Sequence, residues 1–329
     1  MKILLIDVDS KIPNLALMKI SAFYKKKGHN VDLKKLNISY YKKTKNSILI
    51  NGGGYYKVYA SIIFKCNKNA INIFNCDNYE IGGSGYSLNK ILPDEIEIEE
   101  EDYTLYPDND ISYGFITRGC IRNCYFCIVP KKEGLIKEYR TWQSIIKHKK
   151  VKFLDNNFLA YHKHKQILKE LIENKIKFQF NQGLDMRLID DENAELLSES
   201  NYQGEITFSF DDLKDKELIE KKLSIINKYI MKDWKFKFFL YTHPNMEIKQ
   251  NLMERINWCK QNKVLPYLMR DESCFNSINK EVYTDLAAWC NQPALFKKMK
   301  FEQFLKKRHT SKERIKKSLM KVNEAECTI

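Results

Sequence analysis

Short apolar runs recur through residues 113–290 with a stretch of helical spacing after each. The runs are "YGFIT", "VKFLD", "IKFQF", "EITFSF", "FKFFLY" and "VLPYLM". Between them, "HKQILKELIENK" places apolar residues at 167, 168, 171 and 172, one face of a 3.6-residue repeat. "DDENAELLSE" opens with the acidic residues that suit a helix start, and "KELIEKKLSIINKYIM" and "IKQNLMERINWCKQN" continue the series. Strand runs that alternate with helices predict parallel pairing. Six such units predict an open, partial (β/α)6 barrel, TIM-like, whose functional groups gather at the C-terminal ends of its strands.

Residues 1–92 read as a smaller α/β unit of Rossmann-like type. "KILLIDV" is an apolar strand run, and "NLALMKISAFYKKKGHNVDL" a helix carried by Leu15, Leu17, Met18, Ala22 and Phe23 and stopped at Gly28. "SILING", "YASIIF" and "AINIFN" are further strand runs. Glycine clusters at 51–56 and 81–87 lack the G-x-G-x-x-G spacing of a phosphate loop, so plain turns account for them as well as a ligand does. Residues 93–112, "PDEIEIEEEDYTLYPDNDIS", read as an acidic linker. Residues 291–329 read as a basic helical tail, either a solvated face or a docking arm for an acidic partner.

The chain has 329 residues and a formal net charge of +14. Eight of its 56 basic residues are arginine and the other 48 are lysine. Arginine is the better fork for phosphate and base edges, so the charge is only mild support for nucleic-acid binding. No apolar run reaches the length of a membrane span, and "MKILLIDVDS" reads as a strand rather than a signal peptide. The chain is expected to be soluble and cytoplasmic. Nine cysteines without an export signal argue against a disulfide scaffold. Cys66, Cys76, Cys259, Cys274, Cys290 and Cys327 are scattered, and most read as core thiols.

The other three crowd together in "RGCIRNCYFCIVPKKEG", directly after the first barrel strand: Cys120, Cys124 and Cys127, spaced C-x3-C-x2-C. Thiolates are soft ligands that favour zinc or iron–sulfur clusters. Structural zinc takes four protein ligands, and no second C-x2-C exists, although His148, His162 or His164 would complete a set by count. Three thiolates instead leave one iron of a four-iron four-sulfur (4Fe-4S) cluster open. With Phe126 before the last cysteine, the loop resembles that of the radical S-adenosylmethionine (radical SAM) superfamily. Its surroundings are similar to the methylthiotransferase and cobalamin-domain branches, and the resemblance spans about residues 113–270.

The resemblance implies that Cys120, Cys124 and Cys127 hold the cluster and that Phe126 lies against the adenine of S-adenosylmethionine. By position at strand ends it assigns further cofactor contacts. Asp155, Asn156 and Asn157 stand where many members place a Gly-Gly-Glu turn toward the methionine amino group, a pattern from which this chain departs. Asn181 and Gln182 follow the third strand, with Arg187 as a fork for the methionine carboxylate. Ser209 and Asp211 would meet ribose hydroxyls, and Arg270 reaches the same pocket. The N-terminal unit resembles a cobalamin-binding-type domain, but "DVDSKIPNLA" has no histidine, so cobalamin held through a protein imidazole is not expected; binding without a lower ligand stays open, and a vestigial or substrate-facing domain is the favoured reading. Two cysteines there, Cys66 and Cys76, are too few for a methylthiotransferase second cluster. Cys259, Cys274 and Cys290 are the remaining, remote candidates for an auxiliary one. The expected activity is cleavage of S-adenosylmethionine to a 5′-deoxyadenosyl radical that modifies a nucleobase in tRNA or DNA. A flavodoxin or ferredoxin would be the electron donor. A peptide or small-metabolite substrate and a non-enzymatic metal-binding module stay open as alternatives.

Overall fold

The computed structural model describes residues 1–38 and 47–322; Cys327 lies outside them. The chain divides into two compact units, Met1–Gly114 with Cys124–Gly134, and Phe115–Asn123 with Leu135–Ile329.

The first unit contains β1 (Lys2–Asp7), α1 (Leu15–Lys26), β2 (Asn30–Lys35), β3 (Ile48–Asn51), β4 (Lys57–Ser61), β5 (Ile71–Phe74), β6 (Tyr79–Gly82), α2 (Asp94–Glu97), β7 (Ile111–Gly114) and α3 (Val129–Lys132). A four-stranded sheet runs β2-β1-β4-β6, all parallel, and β3 pairs with β5 as a separate parallel ribbon. β1 is apolar at nearly every position because both its faces are covered. Ile3 and Leu5 join Leu17, Ile20 and Phe23 of α1, whereas Leu4 and Ile6 join Ile50, Ile71 and Ile73 of the ribbon. The ribbon therefore covers the face where a doubly wound sheet would put a second helix layer. α1 starts where the Asn14 side chain accepts the Leu17 N–H at 3.2 Å, and the chain leaves it through Gly28 at φ +77°.

The stretch read as an acidic linker packs within this unit. Ile96, Leu105 and Tyr106 are buried, and Asp102 accepts from Ser21 at 2.6 Å and Lys25 at 2.7 Å. The glycines at 83 and 85 serve close backbone packing. A Cβ on Gly83, at φ +95°, would stand 2.3 Å from the Ile62 oxygen, and one on Gly85 2.5 Å from the Phe64 backbone.

The second unit contains β8 (Thr117–Arg118), β9 (Lys137–Glu138), α4 (Trp142–Ile145), β10 (Lys150–Phe153), α5 (His164–Glu173), β11 (Lys177–Phe180), α6 (Asp191–Glu199), β12 (Ile206–Ser209), α7 (Lys216–Asn227), β13 (Phe236–Thr242), α8 (Glu254–Gln261), β14 (Leu265–Arg270), α9 (Lys280–Cys290), α10 (Pro293–Lys298), α11 (Phe301–Arg308) and α12 (Lys312–Val322). β10 pairs with β11, and β12, β13 and β14 pair in that order, all in parallel. Isolated bridges, Phe178 with Tyr202 and Leu184 with Phe208, connect the two sets. Strands β10 to β14 thus fall into two parallel sheets joined by bridges, and no closed barrel forms among the described residues. Alternate residues Phe153, Phe178, Phe180, Phe208, Phe236, Phe238 and Leu240 belong to one apolar core with those of the helices.

The basic tail is not a free arm. Phe296, Phe301, Phe304, Leu305 and Val322 are buried in the same core. The rings of Phe296 and Phe301 flank Trp289 of α9, 4.9 Å and 5.3 Å from it between centroids. Asp285 of α9, fully buried, meets Arg308 at 3.1 Å, His309 at 2.9 Å and Arg314 at 3.4 Å. Among the described residues no helix is long and apolar enough to cross a membrane.

Candidate cofactor site

The antiparallel pair β8–β9 sets Thr117 opposite Glu138 and Arg118 opposite Lys137, which closes the neck of the segment 119–136 that carries the three cysteines. The Arg118 guanidinium lies between the Phe115 and Tyr139 rings, 4.6 Å and 4.3 Å from their centroids.

The neck is fastened from the exit of β10. Asp155, 1% exposed, accepts the Ile116 N–H at 3.2 Å, the Thr117 N–H at 2.6 Å and the Thr117 hydroxyl at 2.7 Å. Burial pushes its carboxyl up to about 6, against the pull of those donors. Asn156 accepts the Gly119 N–H at 3.0 Å. Both side chains therefore hold the loop backbone that leads to Cys120.

Asn157 is different. It is 4% exposed, and its Nδ2 donates to Cys120 Sγ at 3.5 Å and to Asp185 Oδ2 at 3.4 Å, while its buried Oδ1 has no partner. Asp185 also accepts from Arg122 Nε at 2.9 Å and from Arg187 Nε at 2.7 Å and Nη2 at 3.2 Å. Burial alone would raise the Asp185 carboxyl, but the hydrogen bonds and charges of Arg187 and Arg122 outweigh it and hold the group below the ordinary range. Arg187 closes on Asp215 through Nη1 at 3.1 Å. The guanidinium expected to grip a ligand carboxylate therefore grips two carboxylates of the chain itself. Arg122, two residues past Cys120 and one-third exposed, uses only Nε in its ion pair.

Of the other expected contacts, Asn181 and Gln182 are exposed just past β11, and the Asn181 N–H donates to the Phe153 carbonyl at 2.8 Å. Ser209 is half-buried at the end of β12. Asp211 accepts the Tyr241 N–H at 2.9 Å, and burial raises its carboxyl. Arg270 donates to Thr284 at 3.2 Å and covers the Phe275 ring. Phe126 is half-buried with its ring 5.3 Å from that of Tyr125.

The three loop cysteines are of intermediate exposure and form no disulfide. Cys120 Sγ accepts the Arg122 N–H at 3.3 Å, Cys127 Sγ accepts that of Val129 at 3.4 Å, and the Cys127 N–H turns back to the Cys124 carbonyl at 3.0 Å. Among the described residues no three His, Cys, Asp or Glu side chains stand grouped as a ready metal cage. The donor set still suits an iron–sulfur cluster: soft sulfurs, reached by backbone N–H groups as thiolates are. His164 is no spare ligand, because its ring nitrogens meet the Tyr161 carbonyl at 2.6 Å and Asn193 Oδ1 at 3.0 Å. Cys259, Cys274 and Cys290 are buried in the apolar core, where burial raises all three thiols, Cys274 to about 11.

Asp185 and Arg122 were not among the residues expected from sequence. The D-x-R pattern in "LDMR" and an arginine inside the cysteine loop were the available signals.

No family model matches the chain, and no curated protein matches it. Among solved structures, the chain is similar to that of the cobalamin-dependent S-adenosylmethionine radical enzyme OxsB with aqua-cobalamin and S-adenosylmethionine bound. The similarity has a TM-score of 0.48 and 10% identity, and it covers 98% of this chain and 58% of that one.

Proposed function

We propose that the chain is a radical SAM enzyme whose loop cysteines hold a 4Fe-4S cluster. The carrying observation is the Asn157 amide. Its nitrogen donates to Cys120 Sγ while its oxygen, buried and unpartnered, waits for a donor. An unpaired buried acceptor costs about 1–3 kcal/mol, which a bound ammonium group would relieve. On this reading Cys120, Cys124 and Cys127 are the cluster ligands and Phe126 lies against adenine. Asn157 Oδ1 accepts from the amino group of S-adenosylmethionine, and the terminal nitrogens of Arg122 take its carboxylate in place of Arg187. The cysteines span eight residues, so their side chains can converge on one cluster. When bound, the cluster supplies the electron that splits S-adenosylmethionine into methionine and a 5′-deoxyadenosyl radical. Asp155 and Asn156 keep the loop backbone in place. Cobalamin held through a protein imidazole is not part of this reading, because "DVDSKIPNLA" carries no histidine. The net charge supports a nucleobase in tRNA or DNA as the substrate, and a flavodoxin or ferredoxin as the electron donor follows from the same chemistry.

Anaerobic reconstitution with iron and sulfide tests the core of the proposal. The wild type should gain the brown iron–sulfur absorption and, with dithionite, release 5′-deoxyadenosine; the triple Cys→Ser variant should do neither. A chain that takes up zinc and never iron–sulfur colour defeats the proposal. Mass spectrometry of nucleosides from tRNA and DNA incubated with the loaded enzyme tests the substrate.

A further inference from the structure

Asp185 is 8% exposed and gathers three segments of the second unit: the cysteine loop through Arg122, the exit of β10 through Asn157, and its own turn through Arg187. A carboxylate only accepts hydrogen bonds. The Asn157 amide beside it therefore has to present its nitrogen. The same nitrogen reaches Cys120 Sγ, which as a thiolate also only accepts. The flipped amide would set Oδ1 against two anions. With the nitrogen so claimed, Oδ1 faces the remaining direction and stays unpartnered. Arg122 is held by Nε to the very oxygen, Asp185 Oδ2, that accepts from Asn157. One oxygen thus orients both an acceptor and a donor fork beside Cys120. Arg187, which bonds both oxygens and is anchored in turn by Asp215, keeps that carboxylate from rotating.

We propose that Asp185 is a positioning residue that sets the polarity of the cofactor pocket, fixing the Asn157 amide and the Arg122 guanidinium without touching the cofactor. The assignment rests on the reading of the loop as a cluster site, and it goes beyond that reading by naming the group that determines which face of Asn157 a ligand meets.

The test uses the reconstituted holoprotein and its Asp185→Asn variant. The amide introduced there can turn its own nitrogen toward Asn157 and release that side chain. Iron and sulfide content should match the wild type, whereas the dissociation constant for S-adenosylmethionine, measured by equilibrium dialysis, should rise about 10- to 100-fold. The change that S-adenosylmethionine induces in the electron paramagnetic resonance signal of the reduced cluster should shrink with it. Asp185→Glu should recover part of both. A purely structural role would lower the melting temperature and leave these two readouts alone. Asp185→Asn that binds within about twofold of the wild type with the same spectral change overturns the proposal. If that variant does not fold, Asn157→Asp carries the test, since it sets an oxygen against Asp185 and Cys120. It should lose affinity at unchanged iron content, and unchanged affinity overturns the proposal equally. A wild-type chain that takes up no cluster is a different outcome: it removes the parent reading, and this one with it.

Discussion

Asp155 is a carboxylate that gives up water to hold two backbone N–H groups and a hydroxyl, and its acid–base behaviour reports on that exchange. The folded chain takes up its proton near pH 6, whereas the unfolded chain does so near the ordinary 3.8. Its contribution to stability is therefore complete below about pH 4 and is lost as pH rises through 6. Urea denaturation of the wild type at about pH 5 and about pH 7.5 should show this slope, and Asp155→Asn should lack it; equal slopes would refute the assignment. The two arginines near Asp185 separate in a second measurement. Arg122→Gln should weaken S-adenosylmethionine binding about 10-fold with little loss of stability, while Arg187→Gln, which strands Asp215 and leaves Asp185 to Arg122 and Asn157, should mainly lower stability, by about 2 kcal/mol. The reverse pattern would return the ligand fork to Arg187. The C-x3-C-x2-C spacing is what made the cysteine loop a candidate in the sequence. The role of Arg187 was not legible there, because an arginine at a strand exit reads the same whether its partner is a ligand or an aspartate two residues away. What decides is burial of Asp185, which spacing does not encode.

At the level of elements, the strand–helix rhythm was readable because apolar residues recur at every second position of β10, β11, β12 and β13, with helical stretches between the strands. β2, "NVDLKK", escaped because it is an edge strand with most of its side chains exposed or half-exposed. β6 escaped because its polar, glycine-ended "YEIG" reads as a turn. The ribbon β3–β5 in place of a helix layer was also invisible, since short apolar runs do not state which sheet they join. The basic tail misled in another way: its lysines are at the surface, but Asp285 and five apolar anchors decide where it lies. Asp285→Asn leaves Arg308, His309 and Arg314 facing a neutral group. It should cost about 3–5 kcal/mol and open residues 299–312 to limited proteolysis. A protease-resistant variant of unchanged stability would show that the apolar contacts alone hold the tail.

For the whole molecule, a charge of +14 predicts affinity for polyanions that is steep in salt. Fluorescence anisotropy with tRNA or DNA should show log Kd rising linearly with log salt. Absence of binding at low salt would leave a peptide or small metabolite as the substrate class. The two tilted phenylalanine rings packed against Trp289 carry a practical consequence. A gene shortened after α9, the natural place to cut if one trusts the repeat pattern, would strip that indole of both neighbours and leave a sticky aromatic scar. Such a fragment should precipitate on expression, so excision of the second unit ought to run at least through Val322.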